Sequence, residues 1–334
     1  MARDPTLNVT LNGTNTGMPP FDLKLIGTVF FSLICILGTV GNLLVILTVV
    51  RWPVMRTPCN LLIANISFVD LVVSLVMAPL RILDALSVGW VLGKVLCYVV
   101  APLQDALVTV SAVTHTVVAI ERYRAILMPF KARLNKRKVK LALVLIWIGC
   151  YLGASLPLVF FVKYERQGDI MICVAGLLPE EHFYIFALYL VLAFMILPLL
   201  LQTISYLMII RFLRRKDEVQ SCQEASVATT QLQHVATRQR VKRKRRLIKM
   251  LISLMIIFQV CFIPRGAIML IYEWGPTLVA HPAFPYIKLA TMLLFYVKHI
   301  INPLLLYCMS QDFKTGLVAM VTCRTPKGVS SNGT

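Results

Sequence analysis

The stretch LLFYVKHIINPLLLY, residues 293–307, reads as a membrane-spanning helix with two polar residues, Lys298 and His299, near its middle. Apolar residues continue on both sides of the pair. A charged residue at the centre of a bilayer costs about 2.5–3.5 kcal/mol on insertion scales, so such residues are rare and usually have a partner and a task. The stretch therefore predicts an integral membrane protein, and it raises the question of which carboxylate neutralises Lys298.

The composition of the whole chain indicates the same class of protein. Of the 334 residues, 58% are hydrophobic and 15% are charged, and the mean hydropathy is +0.77. A soluble domain of this size has more polar surface. The formal net charge is +19, but the basic residues fall in short blocks between long apolar runs, as in the loops of membrane proteins. We therefore expect membrane lipids around the chain and no nucleic-acid partner.

Seven apolar runs are long enough to cross a bilayer, because a membrane helix needs about 20 residues. The predicted spans are residues 24–50, 60–84, 95–123, 139–162, 183–213, 247–273 and 284–308. An odd number of spans puts the two termini on opposite sides. Most of the 34 Lys and Arg residues lie in the inner segments if the N-terminus is outside, as the positive-inside rule favours. The predicted fold is an all-α membrane protein, a seven-transmembrane helix bundle.

The N-terminal tail carries the features of an extracellular segment. Residues 1–23 lack the apolar stretch of a signal peptide but contain glycosylation sequons at Asn8 and Asn12. We therefore divide the chain into an extracellular tail at 1–23, a seven-span domain at 24–309 and a cytoplasmic segment at 310–334.

The cytoplasmic segment begins with an amphipathic pattern. Phe313, Leu317 and Met320 recur at helical spacing, which predicts an eighth helix lying on the inner membrane face. Cys323 follows it and is a candidate for palmitoylation, although a plain cytosolic thiol explains it equally well.

Several functional classes lack support in the sequence. No Ser/His/Asp arrangement, phosphate loop or zinc-spaced Cys/His cluster is evident, so we expect no enzyme, cofactor or metal. A channel or transporter predicts polar lining residues along several spans, or pseudo-symmetric halves, and neither pattern is present.

An ordered set of motifs runs through the spans. They are GTVGNLLVI with Asn42, LLIANISFVDL with Asp70, WVLGKVLC with Cys97, AIERYRAI at the end of span three, Trp147, Pro198, FQVCFIP and NPLLLY. In this order they resemble the rhodopsin-like (class A) G-protein-coupled receptors along about residues 24–323. The resemblance implies a multi-pass plasma-membrane receptor that binds an extracellular ligand and activates an intracellular heterotrimeric G protein, with arrestin as a further partner.

The resemblance also implies a disulfide and a set of switch residues. Cys97 pairs with Cys173 in the second outer loop, which pins that loop over the bundle. Arg122 is held beside Glu121 in the resting state, and Pro264 and Pro303 permit bends in their helices. The implied coupling and switch set is Glu121, Arg122, Tyr123, Phe258, Phe262, Pro264, Asn302, Pro303 and Tyr307.

This chain departs from the family pattern at two of these positions. Phe262 stands where the family usually has tryptophan. Leu306 occupies the usual tyrosine position and Tyr307 follows one residue later, which rotates the phenol by about 100° around the helix. The usual tyrosine switch is therefore absent or remodelled.

Family structures place a sodium ion between the positions of Asp70, Ser111 and span seven, where Lys298 replaces an asparagine four residues before Asn302. Asp70 is the only carboxylate expected near mid-membrane. We predict that the Lys298 ammonium stands in for sodium and pairs with Asp70. The alternative is a neutral Lys298, because burial disfavours its charge.

A lysine in span seven also suggests an opsin. In opsins the retinal lysine lies six residues before the asparagine of the NP motif, which is Tyr296 here. Lys298 is two positions further on, about 200° around the helix, so an opsin is not expected.

The ligand site implied by the resemblance lies at the outer ends of the spans. Its residues are Gln104, Asp105, Arg265, Met269, Lys288, Met292 and Tyr296, with Arg81 and Asp84 capping span two. Several cations suit a carboxylate, a phosphate or an acidic peptide group. Lys288 and Asp84 have the simpler explanation of reaching the membrane interface.

Gln104 replaces the aspartate of amine receptors, and the outer loop FVKYERQGDIMICVAG has the length of a hairpin. Both features most resemble neuropeptide receptors. The alternatives are a receptor for a lipid or another small acid, and a constitutively active receptor that signals without ligand. The second alternative is kept open by the departures at Phe262, Leu306 and His115, where the family usually has a leucine.

Overall fold

The described part of the chain contains seven helices that are long and apolar enough to cross a membrane, as the sequence predicts. The computed structural model of the chain describes residues 21–128, 134–175, 180–224, 231–279 and 281–322. The spans are Asp22–Arg51, Pro58–Leu86, Gly93–Leu127, Lys136–Val159, Ile185–Arg215, Arg246–Ile271 and Phe284–Met309, here called spans one to seven. The predicted glycosylation sites Asn8 and Asn12 and the candidate palmitoylation site Cys323 lie outside the described residues.

The helices extend beyond the spans at several ends. Their bounds are Phe21–Leu33, Thr39–Arg51, Pro58–Val72, Ala78–Leu86, Gly93–Leu127, Lys136–Cys150, Leu156–Val159, Glu180–Val191, Leu197–Glu224, Gln231–Trp274, Pro276–Val279, Phe284–Met309 and Gln311–Val321, with a 3₁₀ turn at Pro53–Met55. The first helix thus begins at Phe21, inside the segment predicted as the N-terminal tail. Helix continues past spans five and six into their long connection, where no apolar run marks it.

Single π-helical turns interrupt four spans, at Ile34–Gly38, Val73–Met77, Tyr151–Ser155 and Leu192–Ile196. Three of them end two residues before a proline: Pro79, Pro157 and Pro198. A proline in a helix has no N–H to donate, and its ring clashes with the carbonyl four residues earlier. Widening the preceding turn relieves that clash, so the prolines explain where these turns lie.

Two spans begin with side-chain caps. The Asn60 N–H donates to Thr57 Oγ1 (3.2 Å) ahead of span two, and the Lys138 N–H donates to Asn135 Oδ1 (2.8 Å) ahead of span four. Each cap satisfies a backbone donor that the first helical turn leaves without a partner.

A β-hairpin covers one end of the bundle, here called the hairpin end. Strand β1 (Val162–Gln167) pairs antiparallel with β2 (Ile170–Ala175), and Cys173 on β2 forms the predicted disulfide with Cys97 of span three. Trp90 donates its N–H to the Met171 carbonyl (2.6 Å), which ties the loop after span two to the same strand. Span four was predicted to reach residue 162, but it ends at Val159 because residues 162–167 pair as a strand instead.

The burial of the bundle is the reverse of that in a soluble domain. Large apolar side chains such as Leu47, Leu145 and Ile204 are exposed on its outside, whereas Asn42, Asp70 and other polar residues are fully buried inside. This arrangement suits a lipid environment, where polar groups must find partners within the protein. It explains how functional polar residues gather at the centre of the bundle.

A short helix, Gln311–Val321, follows span seven and packs against span one. Phe313 is buried, and the Trp52 indole N–H donates to the Gly316 carbonyl (3.3 Å). The helix fits the predicted amphipathic helix 8, with Ser310 as its N-cap. Its place on the inner membrane face stays a prediction.

Candidate functional site

Asp70 of span two lies at the centre of a buried ionic cluster. Its Oδ1 lies 3.4 Å from the Lys298 ammonium and 2.7 Å from His299 Nδ1, while its Oδ2 accepts a hydrogen bond from Asn302 Nδ2 (2.7 Å). The side chains of Lys298 and Asp70 are 3% and 0% exposed. The carboxylate therefore has partners on both oxygens, and the lysine has a counter-charge.

Helical spacing explains how span seven supplies all three partners. Lys298 and Asn302 are four residues apart and His299 and Asn302 three, so the three side chains share one helix face. From the sequence alone, no role is expected for His299. The signal that could have found it is its spacing to Asn302.

These residues do not fit a sodium ion beside Asp70. The Lys298 ammonium already lies next to the carboxylate and would repel a second cation. Ser111 of the predicted sodium site is buried, and its hydroxyl has no partner among the described residues. Within the same residues, no group of three or more His, Cys, Asp or Glu is placed to hold a metal ion.

Aromatic rings surround the lysine on the side of span six. Phe258 stacks on His115 of span three (centroids 4.5 Å apart) and on Phe262 (5.0 Å). The Lys298 ammonium lies 5.7 Å from the centroid of Phe258 and 5.6 Å from that of Phe295. Both distances suit a cation–π interaction, so the lysine contacts spans two, six and seven at once.

The backbone of span seven accepts a hydrogen bond from span one. Pro303 has no N–H for the carbonyl of His299, four residues earlier, and Asn42 of span one donates its Nδ2 to that carbonyl instead (2.8 Å). The same Nδ2 also donates to the Gly38 carbonyl (2.8 Å). Span one thereby satisfies the acceptor that the proline leaves open.

The end of the bundle opposite the hairpin carries Arg122. Its Nε donates to Glu121 Oε2, and the two side chains are 17% and 9% exposed. Tyr123 is partly buried beside the core of this end. Leu306, at the usual tyrosine position, is buried, whereas the Tyr307 hydroxyl has no partner among the described residues.

At the hairpin end, Arg81 of span two joins three other side chains. Its Nη2 donates to Gln104 Oε1 of span three, its Nε lies 3.4 Å from Tyr296 Oη of span seven, and its Nη1 lies 3.3 Å from Asp84 Oδ2. We call Arg81, Asp84, Gln104 and Tyr296 the arginine cluster. All four residues are expected at the outer ends of the spans, but the sequence does not predict the bond between Arg81 and Gln104.

The other predicted ligand residues lie around this end of the bundle. Met269 and Met292 are partly buried against the core, Arg265 is half-buried on span six and Lys288 is exposed near the start of span seven. Asp105 lies beside Gln104 in sequence, but its Oδ2 is buried and has no partner among the described residues. Its side chain is therefore not part of the arginine cluster.

Tyr296 connects the arginine cluster with the ionic cluster. Its hydroxyl lies near Arg81, and its ring lies 5.8 Å from that of His299, which contacts Asp70. The two polar groups are thus separated by one tyrosine side chain.

Comparison with known proteins agrees with this architecture. The family described as "7 transmembrane receptor (rhodopsin family)" matches residues 41–307. A QRFP-like peptide receptor of Branchiostoma floridae is 26% identical over 336 residues, which cover 95% of this chain and 86% of the relative. The type 4 neuropeptide Y receptor of Mus musculus is 26% identical over a region that covers 90% of this chain and 81% of the relative. The type 2 neuropeptide Y receptor of Homo sapiens is 28% identical, covering 87% and 74%.

The family match extends over most of the chain, and the structure supplies seven spans and the disulfide between span three and the hairpin. This chain belongs to the rhodopsin family of seven-transmembrane receptors.

Proposed function

We propose that the chain is a plasma-membrane receptor that binds a neuropeptide at the hairpin end and activates a heterotrimeric G protein at the Arg122 end. The observation that carries the proposal is the arginine cluster, in which three spans present polar side chains at the end covered by the hairpin. Relatives that match along most of the chain are named as peptide receptors. The positive-inside rule favours an N-terminus, and with it a hairpin, on the outer side.

The proposed ligand residues surround the arginine cluster. They are Gln104, Asp105, Arg265, Met269, Lys288, Met292 and Tyr296. Arginine and lysine suit acidic groups of a peptide, and the two methionines offer adaptable apolar surface. Asp105 is the least supported member, because its carboxylate is buried apart from Arg81.

The proposed mechanism is a shift between two populations of the bundle. Lys298 contacts Phe258 of span six and Asp70 of span two, so a ligand that displaces Tyr296 changes contacts in the ionic cluster as well. Span six swings outward below Pro264, and Arg122 leaves Glu121 to face a helix of the G protein. The proposed rearrangement involves further residues of spans six and seven, which are Phe262, Asn302, Pro303 and Tyr307. Tyr123 lies next to Arg122 in the sequence and belongs to the same proposed set. Arrestin is the further partner proposed for the same opened surface.

The ligand class can be tested in cells that express the full chain. We expect at least one member of a neuropeptide library to change cyclic AMP or intracellular calcium, and the response to be lost in Arg122→Ala at equal surface expression. A receptor that responds to lipids or small acids but to no peptide would contradict the peptide assignment. High signalling without any ligand would instead identify a constitutively active receptor.

The orientation is tested separately. Epitope tags at the two ends of the chain should be accessible on opposite faces of an intact cell, with the N-terminal tag outside. Two tags on the same face would contradict the topology and the receptor assignment together.

A further inference from the structure

Arg81 has a partner at each of its three nitrogens but keeps N–H donors that make no hydrogen bond to a described residue. Each of its three nitrogens has one partner in the arginine cluster: Tyr296 at Nε, Asp84 at Nη1 and Gln104 at Nη2. A guanidinium carries five N–H donors, two on each terminal nitrogen and one on Nε. Within the described part of the chain, these bonds leave one N–H on each terminal nitrogen for another acceptor. The side chain is 26% exposed, so such an acceptor can reach it.

The arginine also fixes the direction of the Gln104 amide. A guanidinium has donors and no acceptor, so Gln104 must turn its carbonyl oxygen, and not its NH₂ group, toward Arg81. The Gln104 NH₂ group consequently points away from Arg81, and it donates to no other described residue. The pair therefore offers donors from both members, while the Gln104 carbonyl oxygen is already bonded to Arg81.

The charge of Arg81 is only weakly compensated. Among the described residues its carboxylate partner is Asp84, which is 60% exposed and lies one helical turn away on the same span. An exposed pair of this kind contributes little, because water competes for both groups. Among the described residues no ion pair joins Arg81 to the neighbouring Asp105. The positive charge of Arg81 is thus only weakly screened by Asp84 and stays available to an anion at the hairpin end.

From this donor set we infer that Arg81 and Gln104 bind a carboxylate of the ligand, either the free C-terminus of a peptide or an acidic side chain. The carboxylate accepts from the terminal nitrogens of Arg81 in place of Asp84, and from the Gln104 NH₂ group. A carboxamide in that place can accept the same hydrogen bonds through its oxygen, but it is neutral, so it lacks the attraction of a carboxylate to the Arg81 charge. The inference rests on the proposed function and specifies the chemical group that the receptor selects.

The test uses the purified full chain in detergent and three small probes at millimolar concentration. They are N-acetyl-leucyl-phenylalanine with a free carboxyl group, the same dipeptide as its C-terminal amide, and N-acetyl-aspartyl-phenylalanine amide. Apparent Kd values come from the shift of the thermal unfolding midpoint with probe concentration. We expect the neutral amide to bind about tenfold to a hundredfold more weakly than the free acid, which is the size expected for charge-assisted hydrogen bonds. The aspartyl probe decides whether a side-chain carboxylate is accepted as well as a terminal one.

Three variants locate the effect. Arg81→Gln should remove the preference for carboxylate, and Gln104→Glu should do the same because the new carboxylate occupies Arg81 itself. Asp84→Asn should strengthen binding of the free acid severalfold, because it removes the internal competitor at an exposed position where folding is not at risk. The matched control is Arg166→Gln, an exposed arginine on β1, which should leave the preference unchanged.

Equal binding of free acid and neutral amide, or no binding of either carboxylate probe, would overturn the inference. So would an Arg81→Gln receptor that folds and keeps the preference. A cellular response to amidated peptides alone would overturn it while leaving the peptide-receptor assignment intact. Carboxylate selectivity in a receptor that no peptide activates would support the site and contradict that assignment.

Discussion

Two cation–carboxylate pairs in this bundle have nearly the same geometry and different surroundings. Lys298 and Asp70 lie 3.4 Å apart with 3% and 0% of their side chains exposed, whereas Arg81 and Asp84 lie 3.3 Å apart with 26% and 60% exposed. Coulomb energy depends on the local dielectric as strongly as on distance. The buried pair is therefore a fixed part of the bundle, and the exposed pair can exchange one partner for a ligand.

The number of other partners differs in the same direction. Asp70 receives hydrogen bonds from His299 and Asn302 in addition to the lysine, so both of its oxygens have a partner. Asp84 has Arg81 as its partner and otherwise faces solvent. Removing one member should consequently have a large effect at the buried pair and a small one at the exposed pair.

The largest effect is expected from Asp70→Asn. This change leaves the Lys298 charge buried without a counter-charge, and breaking a buried pair in this way costs about 3–5 kcal/mol. The measurement is the thermal unfolding midpoint in detergent, together with the yield of folded receptor. Asp84→Asn is the matched control, the same substitution on the same span. Equal losses from the two variants would show that burial does not distinguish the pairs.

A smaller effect is expected when both members of the buried pair are replaced. Asp70→Asn with Lys298→Met removes the charge and its partner together, and similar replacements of buried pairs are often neutral or stabilising by about 1–4 kcal/mol. The double variant should therefore recover most of the stability that Asp70→Asn loses. A double variant no more stable than the single one would mean that Lys298 and Asp70 do not act as a pair.

The next effect in size is a change in the stability of Lys298→Asn when sodium chloride is replaced by choline chloride. The wild-type receptor should show equal stability in the two salts, because the ammonium already neutralises Asp70. Lys298→Asn removes the ammonium, and sodium at about ten times its Kd would then stabilise the variant by about 1.4 kcal/mol. Stabilisation of the wild type by sodium would contradict the replacement of the ion by the lysine.

The smallest effect is expected from Arg81→Gln on stability alone. Exposed ion pairs contribute about 0–1 kcal/mol, and salt weakens them further. The unfolding midpoint should change little, while the preference for carboxylate probes disappears. A loss as large as that of Asp70→Asn would show that Arg81 holds the bundle together and is not available to a ligand.

The sequence reaches some of these features and not others, for physical reasons. The seven spans follow from the length of the apolar runs, and the closeness of Lys298 to Asp70 follows from a buried charge that has one candidate partner. The disulfide between Cys97 and Cys173 came from family resemblance. For the spans and the ion pair, a strong physical constraint, such as desolvation or the length of the apolar runs, leaves few alternatives.

Other features depend on side-chain direction, which periodicity does not determine. The bond from Arg81 to Gln104 crosses between two spans, and its existence depends on how far each helix is rotated. π turns such as Val73–Met77 change that rotation by adding a residue to one turn. Span four ends three residues earlier than predicted for a related reason, since residues 162–167 satisfy their backbone by strand pairing rather than by helix.

The bond from Asn42 to the His299 carbonyl has a mechanical consequence. Pro303 interrupts the backbone hydrogen bonds of span seven, and the hydrogen bond from Asn42 connects span seven to span one at that point. A bend of span seven at Pro303 must therefore either move span one with it or break the hydrogen bond from Asn42. The helix is therefore not free to bend at Pro303. The resistance to bending depends on Asn42, a residue that belongs to neither the proposed ligand site nor the proposed G-protein site.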